Sequence, residues 1–70
     1  MTFKEFRDIV KEYRPDIMVL PPSEFDFLSH PGVKAEIHFN RGKKGWSPPY
    51  YYTYSYETIL RQLGIQWQNK

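Results

Sequence analysis

The stretch of residues 33–40 alternates strictly between apolar and polar side chains. A period of two places successive side chains on opposite faces of a β-strand. The pattern therefore predicts a half-buried strand of an antiparallel sheet. Its apolar face carries Val33, Ala35, Ile37 and Phe39, and its polar face carries Lys34, Glu36, His38 and Asn40.

A second alternating stretch, at residues 50–56, is rich in tyrosine. Tyr50, Tyr52, Tyr54 and Tyr56 share one face, and Tyr51 shares the other with Thr53 and Ser55. Tyrosine and threonine favour strands, so this stretch predicts the second arm of a hairpin. Residues 41–49 contain two glycines and two prolines and therefore cannot continue either strand. The loop is longer than most hairpin connections, which indicates a role beyond turning the chain.

Residues 2–13 carry the signals of an amphipathic helix. Thr2, followed three residues later by Glu5, makes a capping box. Pro15 disfavours the helical conformation of Arg14 and ends the helix near that residue. We expect its apolar stripe to lie in the core, with Phe3, Phe6, Ile9, Val10 and Tyr13 at helical spacing.

The apolar run at residues 17–20 is closed by two prolines. Its length and its isoleucine and valine favour a short strand. If helices cover only one face of the sheet, then either Ile17 and Val19 or Met18 and Leu20 are left exposed. Such a patch would await a partner.

Residues 23–29 leave two structures open. Ser23 and Asp26 resemble a weak capping box, which favours a single helical turn. An irregular loop pinned by Phe25 and Leu28 fits equally well. Pro31 and Gly32 then predict a turn into the strand that follows.

The end of the chain predicts a second helix. Ser55 is a suitable cap for a helix that starts near Tyr56, and Gly64 is suited to the left-handed position that ends many helices. Residues 66–70 form a polar tail that we expect to fray unless Trp67 docks. The buried stripe of this helix is predicted to contain Ile59, Leu60 and Leu63.

Seventy residues make one small domain, residues 1–70, with a thin margin of stability. The order of elements predicts an α+β fold. A small three-stranded antiparallel sheet would carry the N-terminal and C-terminal helices on one face, with the strand order undetermined. Self-association remains open as a further way to bury surface.

Composition indicates where in the cell the chain is expected to be found. The chain has no cysteine, which fits a reducing compartment, and its N-terminus is charged rather than apolar. No apolar run approaches the length that spans a bilayer. We therefore expect a soluble cytoplasmic protein with no membrane partner.

The sequence holds no constellation of nucleophile, base and stabilising group, so we expect no enzymatic activity and no cofactor. His38 lies two residues from Glu36 on the same strand face, and we expect an ion pair there rather than a metal site. Gly42 and Gly45 flank two lysines without the context of a nucleotide-binding loop. Residues 48–51 match a short proline motif bound by WW domains, but four residues recur by chance.

Charge is distributed unevenly along the chain. Residues 1–33 hold four basic and six acidic side chains, whereas residues 34–70 hold six basic and two acidic ones. We favour a small module, an adaptor or inhibitor, that binds another protein or a second copy of itself, because Trp, Tyr and Arg are preferred interface anchors. The alternative is an accessory protein that binds single-stranded nucleic acid by phosphate contact and base stacking. Both hypotheses use the same residues, Arg41, Lys43, Lys44, Trp46, Tyr50 and Tyr51.

Overall fold

The computed structural model describes residues 1–67, which form three helices and three strands. The α+β class expected from the sequence is confirmed, and one short helix is added between the first two strands. In chain order the elements are α1 (Phe3–Tyr13), β1 (Ile17–Leu20), α2 (Glu24–Ser29), β2 (Ala35–Phe39), a 3-10 turn (Gly42–Lys44), β3 (Tyr50–Tyr52) and α3 (Tyr56–Gln62).

The sheet has β2 at its centre, paired antiparallel with β1 on one side and with β3 on the other. Val19 opposes Ile37 in the first pair, and Ile37 opposes Tyr50 in the second. Directly opposed residues share a face, so the alternation found in β2 extends across the sheet. The order that the sequence left open is therefore β1-β2-β3, and β1 and β3 are the two edges.

One face of the sheet is covered by α1 and α3. Phe6 and Val10 of α1 and Ile59 and Leu60 of α3 are fully buried. Tyr56, at the start of α3, stacks on Phe6 with ring centroids 4.9 Å apart. The helices pack on the odd-numbered residues of β1 and β2, namely Ile17, Val19, Ala35 and Ile37. It follows that the even-numbered residues of β1 and β2, among them Met18 and Leu20, lie on the other face, which we call the open face.

The predicted capping box of α1 is present. The hydroxyl of Thr2 accepts a hydrogen bond from the Glu5 N–H at 3.1 Å, and the Glu5 carboxylate accepts one from the Thr2 N–H at 3.0 Å. Two amide donors that the first turn would leave without partners are thereby satisfied. The helix ends at Tyr13, just before Pro15, as the sequence predicts.

The C-terminal helix also follows the prediction. Ser55 caps it by accepting a hydrogen bond from the Thr58 N–H at 3.3 Å. Gly64 adopts a φ of +77°, and the N–H of Ile65 then donates back to the Leu60 carbonyl at 3.0 Å. Trp67 is half-buried and packs against the core. The remainder of the predicted tail, residues 68–70, lies outside the described residues.

The tyrosine-rich strand is shorter than its alternation predicts. β3 ends at Tyr52, Tyr54 is exposed in the connection that follows, and Tyr56 already belongs to α3. The cause lies downstream, where the Ser55 cap and the buried pair Ile59 and Leu60 impose helical spacing. Tertiary burial of that stripe outweighs the strand preference of the tyrosines.

Candidate functional site

The loop between β2 and β3 is held in a defined shape by its own backbone. Gly42 and Gly45 adopt φ values of +68° and +77°, in the left-handed region that favours glycine. The N–H of Arg41 donates to the Gly45 carbonyl at 2.7 Å. The Gly42 N–H donates to the side-chain oxygen of Asn40 at 2.8 Å. This compact turn presents its long side chains to solvent.

Ser47 closes the loop onto the sheet. It is buried, its N–H donates to the Phe39 carbonyl at 2.7 Å, and its hydroxyl accepts from the Phe39 N–H at 2.9 Å. The same hydroxyl donates to the Pro48 carbonyl at 2.9 Å. These bonds fix the position of the neighbouring Trp46, and sequence reasoning did not single out Ser47 for this role.

The three cations predicted at this loop are placed close together in the chain and all are exposed. Among residues 1–67, no carboxylate lies within 4.0 Å of the charged groups of Arg41, Lys43 or Lys44. Trp46, two residues beyond Lys44, keeps 45% of its surface exposed. Positive charge and an accessible ring therefore occur together, as the sequence predicts for this loop.

The tyrosines are separated from Trp46 by a β-bulge. Trp46 opposes Asn40, and Tyr50 opposes Ile37. On one side of the ladder the pairing advances four residues, from 46 to 50, whereas on the other side it advances only three, from 40 to 37. One extra residue in the Ser47-Pro48-Pro49 segment interrupts the ladder. Trp46 consequently shares the open face with Asn40, whereas Tyr50 shares the helix-covered face with Ile37.

Tyr50 and Tyr51 accordingly lie on opposite faces of β3. Tyr50 packs edge-on against Phe39, with ring centroids 5.4 Å apart. Tyr51 opposes Glu36 on the open face, where its ring stacks on His30 at 4.4 Å. Of the six predicted site residues, the structure groups Arg41, Lys43, Lys44 and Trp46 in the loop and does not bring both tyrosines onto one surface with them.

The helix α2 has its apolar side chains outward. Phe25 and Leu28, three residues apart and so on one helix face, are 72% and 77% exposed. The expectation that these two residues pin the segment is wrong, although the alternative of a single helical turn is correct. Leu20, which ends β1 shortly before α2, is also 38% exposed.

Asp26 is the reason for this orientation. It is 3% exposed, and its carboxylate accepts a hydrogen bond from the Ser23 N–H at 2.9 Å, while its own N–H donates to the Ser23 hydroxyl at 3.1 Å. The backbone N–H of Ser23, which donates to this carboxylate, holds the pKa of Asp26 below its usual value of 3.8 against the opposing effect of burial. Because Asp26 points inward, Phe25 and Leu28 must point outward.

Polar side chains on the open face connect β2 to the loop. The expected pair is present, with Glu36 Oε1 2.7 Å from His38 Nε2. The other ring nitrogen, Nδ1, donates to the Ser47 carbonyl at 2.9 Å. Burial lowers the pKa of His38, but its hydrogen bonds to Ser47 and Glu36 outweigh that effect and leave the pKa raised above 6.5. These bonds connect Glu36, His38 and the loop in one arrangement.

Sequence reasoning missed the outward face of α2, although a signal was present. The capping box holds the Asp26 side chain against the first turn of α2, and in this fold that side of the helix faces the domain. A six-residue helix has too few positions to bury Asp26, Phe25 and Leu28 together. The capping box predicts a helix, and helical spacing then places Phe25 and Leu28 together on one face.

Within residues 1–67, no three His, Cys, Asp or Glu side chains are arranged to hold a metal ion. No helix in that part of the chain is long and apolar enough to cross a membrane. Comparison of the chain with protein-family models, with curated proteins and with solved structures found no match. Function is therefore inferred from the geometry of the chain itself.

Proposed function

We propose that this chain is a small non-enzymatic protein-binding module and that its principal contact is the outward face of α2. The observation that carries the proposal is the exposure of Phe25 and Leu28 on a helix whose orientation is fixed by the Ser23–Asp26 capping box. Ordered, exposed apolar side chains are typical of a surface that a partner covers. A rigid helix also gives up little conformational freedom on binding.

The loop supplies a second contact in this proposal. Trp46 is exposed and held by the bonds of Ser47, and tryptophan is among the residues that most often dominate the energy of protein interfaces. Arg41, Lys43 and Lys44 precede it in the chain and would steer an acidic partner rather than anchor it. Binding through two surfaces is consistent with an adaptor.

The test begins with a photo-reactive amino acid in place of Leu28, which links the chain to its partner in cells. The affinity of the captured protein is then measured for the wild type and for Phe25→Ser and Leu28→Ser. We expect each substitution to weaken binding by at least about tenfold, the effect of losing an interface anchor. The free energy of unfolding should change by less than about 0.5 kcal/mol, since both side chains are already in water.

Tyr54→Ser is the matched control, because it also removes an exposed aromatic side chain. It should leave the affinity unchanged. Equal losses for Tyr54→Ser and Phe25→Ser would contradict the role of α2. The proposal would also fail if Phe25→Ser left the affinity of the captured partner intact.

The second candidate function is binding of single-stranded nucleic acid. One observation favours it. Among residues 1–67, Arg41, Lys43 and Lys44 have no carboxylate partner, and the exposed Trp46 follows them in the same loop. This function is disfavoured by the bulge, which puts Tyr50 on the face opposite Trp46, because unspecific binders stack successive bases on rings along one groove.

The two functions differ in their salt dependence. Anisotropy of a labelled mixed-sequence oligonucleotide at low salt tests the second one. If it binds, replacement of Arg41, Lys43 and Lys44 by Ala should remove most of the affinity. The slope of log affinity against log salt should then fall by about 0.7 for each phosphate that the protein no longer neutralises. An absence of binding at about 100 μM would exclude this function, since typical non-specific affinity is tighter.

A further inference from the structure

The outer edge of β1 is not paired with any other strand. β1 is the first strand in the order β1-β2-β3, and among residues 1–67 no segment pairs with its outer side. An edge strand offers free amide and carbonyl groups to a second chain. What could bind here depends on which of these groups are free and on the side chains around them.

The ladder with β2 identifies the free groups. The N–H of Asn40 donates to the Asp16 carbonyl at 2.8 Å, so the backbone groups of Asp16 point toward β2. Backbone direction alternates along an antiparallel strand, so those of Ile17 and Val19 point outward. The Ile17 N–H is already bonded to the Arg14 carbonyl at 3.0 Å. The Ile17 carbonyl and both backbone groups of Val19 are left for an added strand.

A groove of about 270 Å³ lies along this edge. The side chains of Arg7 and Lys11, on α1, form one wall, and Trp46, from the loop, lines the groove with β1. The β1 lining includes Met18 of the open face as well as Ile17 and Val19, so the groove reaches both faces at the strand edge. The groove combines apolar surface with two long cationic side chains. A peptide lying on the edge would place an apolar side chain here.

The charged side chains that line the groove, Arg7 and Lys11, are both positive. No acidic residue lines it, and no carboxylate among residues 1–67 lies within 4.0 Å of the Lys11 ammonium. Arg7 approaches Asp8 only at 4.0 Å, through an exposed contact. The loop that supplies Trp46 adds the exposed cations Arg41, Lys43 and Lys44.

We propose that the outer edge of β1 is a binding site for an extended acidic peptide, which adds to the sheet as a strand beside Val19. Hydrogen bonds to Val19 and to the Ile17 carbonyl provide the pairing, which is independent of peptide sequence. Specificity comes from the side chains of the peptide: an apolar one enters the groove, and its carboxylates lie opposite Arg7 and Lys11 of the protein. This site is separate from the outward face of α2.

A second copy of the chain fits the edge less well. Two β1 edges paired antiparallel would bring the Arg7 and Lys11 side chains of both copies to the same seam, where like charges repel. The flanking prolines Pro15 and Pro21 limit any pairing to the few residues between them. The edge therefore suits a short acidic segment.

The experiment uses the full chain, labelled with ¹⁵N, and a short peptide in which valine and glutamate alternate. We expect the Val19 amide, which points away from β2, to exchange rapidly in the free protein. It should become protected as peptide is added up to about 1 mM, the weak end of specific recognition. Lys11→Glu should weaken binding about fivefold, the effect of reversing one exposed charge. Arg61→Glu should leave the affinity for the peptide unchanged. It is a matched control because Arg61 in α3, like Lys11 in α1, is the basic residue of the last helical turn.

Two control peptides separate pairing from simple charge attraction. The same peptide with N-methyl groups at alternate amides keeps its charges but cannot complete the ladder, and it should not bind. The peptide with lysine in place of glutamate should not bind either. Binding of the N-methylated peptide, no protection of Val19, or equal effects of Lys11→Glu and Arg61→Glu would each overturn the proposal.

Light scattering of the free chain completes the test. A dimer whose Val19 amide is already protected without peptide would assign the edge to a second copy and overturn the proposal. A monomer with an unprotected Val19 amide supports it. The variant Phe25→Ser should bind the peptide as the wild type does, so failure at the β1 edge and failure at α2 are told apart.

Discussion

The guanidinium of Arg14 donates a hydrogen bond from Nη1 to the carbonyl oxygen of Leu63, 2.8 Å away. The bond joins the end of α1 to the end of α3. The same guanidinium binds the Asp16 carboxylate through Nε and Nη2 at 3.0 and 2.9 Å. One side chain thereby satisfies a terminal carbonyl of α3 and fixes the turn that leads into β1, and hence the position of the β1 edge.

We expect Arg14→Ala to lower the free energy of unfolding by about 2 kcal/mol. Charge-assisted hydrogen bonds contribute about 1.5–3 kcal/mol, and the substitution leaves the carbonyl of the buried Leu63 without its donor. Urea denaturation followed by circular dichroism measures the loss. Lys4→Ala is the control, because its ion pair with Asp8 at 3.1 Å is exposed and should contribute less than about 0.5 kcal/mol. Equal effects of the two substitutions would contradict this role for Arg14.

Ser23→Ala should destabilise α2 locally. It removes the hydroxyl that accepts a hydrogen bond from the Asp26 N–H, and loss of such a cap costs about 1 kcal/mol. Amide exchange within α2 should become faster, while exchange in α1 and β2 stays close to that of the wild type. Ser29→Ala, at the other end of the helix, is the control and should change little. If α2 kept its protection in Ser23→Ala, the capping box would not be what fixes Phe25 and Leu28 outward.

The stability provided by Asp26 should depend on pH. Hydrogen bonding from the Ser23 N–H lowers the pKa of Asp26 in the folded protein, against burial. A carboxylate with a lowered pKa stabilises the fold above its unfolded value of 3.8, and this contribution is lost as the pH falls through the folded pKa. Asp26→Asn should therefore be less stable than the wild type near pH 6. The difference should shrink below about pH 4. A difference that stays constant would show that the charge of Asp26 is not involved.

The sequence was sufficient for those parts of the fold that depend on local signals and on burial of a single stripe. Local signals predicted three elements that the structure contains: the Thr2–Glu5 capping box predicted α1, the Ser55 cap predicted α3, and the period-two pattern predicted β2. In these cases local preference and tertiary burial favour the same conformation. Agreement between the two levels is what makes an element predictable.

The candidate site was harder to predict because its geometry depends on tertiary structure. The bulge between Trp46 and Tyr50 follows from how Ser47 bonds to Phe39 across the strands, which no spacing rule reveals. The edge position of β1 depends on strand order, which the sequence left open. For Phe25, the usual rule that large apolar side chains are buried failed, because the inward position was taken by Asp26.

The last prediction concerns His38, whose two ring nitrogens both face acceptors. The Ser47 carbonyl can only accept, so Nδ1 carries a proton, and Nε2 meets the Glu36 carboxylate at 2.7 Å. Only the doubly protonated ring donates to both, so these bonds raise the pKa of His38 above 6.5 although burial of the ring lowers it. Glu36→Gln should bring that pKa down, as measured by NMR titration of the ring protons. Glu57→Gln, at the start of α3, should leave it unchanged.

The consequence for stability follows from the direction of this pKa shift. A histidine with a raised pKa contributes stability that is fully present below its unfolded value of 6.5 and is lost as the pH rises through the folded pKa. The wild type should therefore exceed Glu36→Gln in stability by more at pH 6 than at pH 9, as measured by urea denaturation. A difference that grew with pH would mean that the ring is neutral in the folded protein.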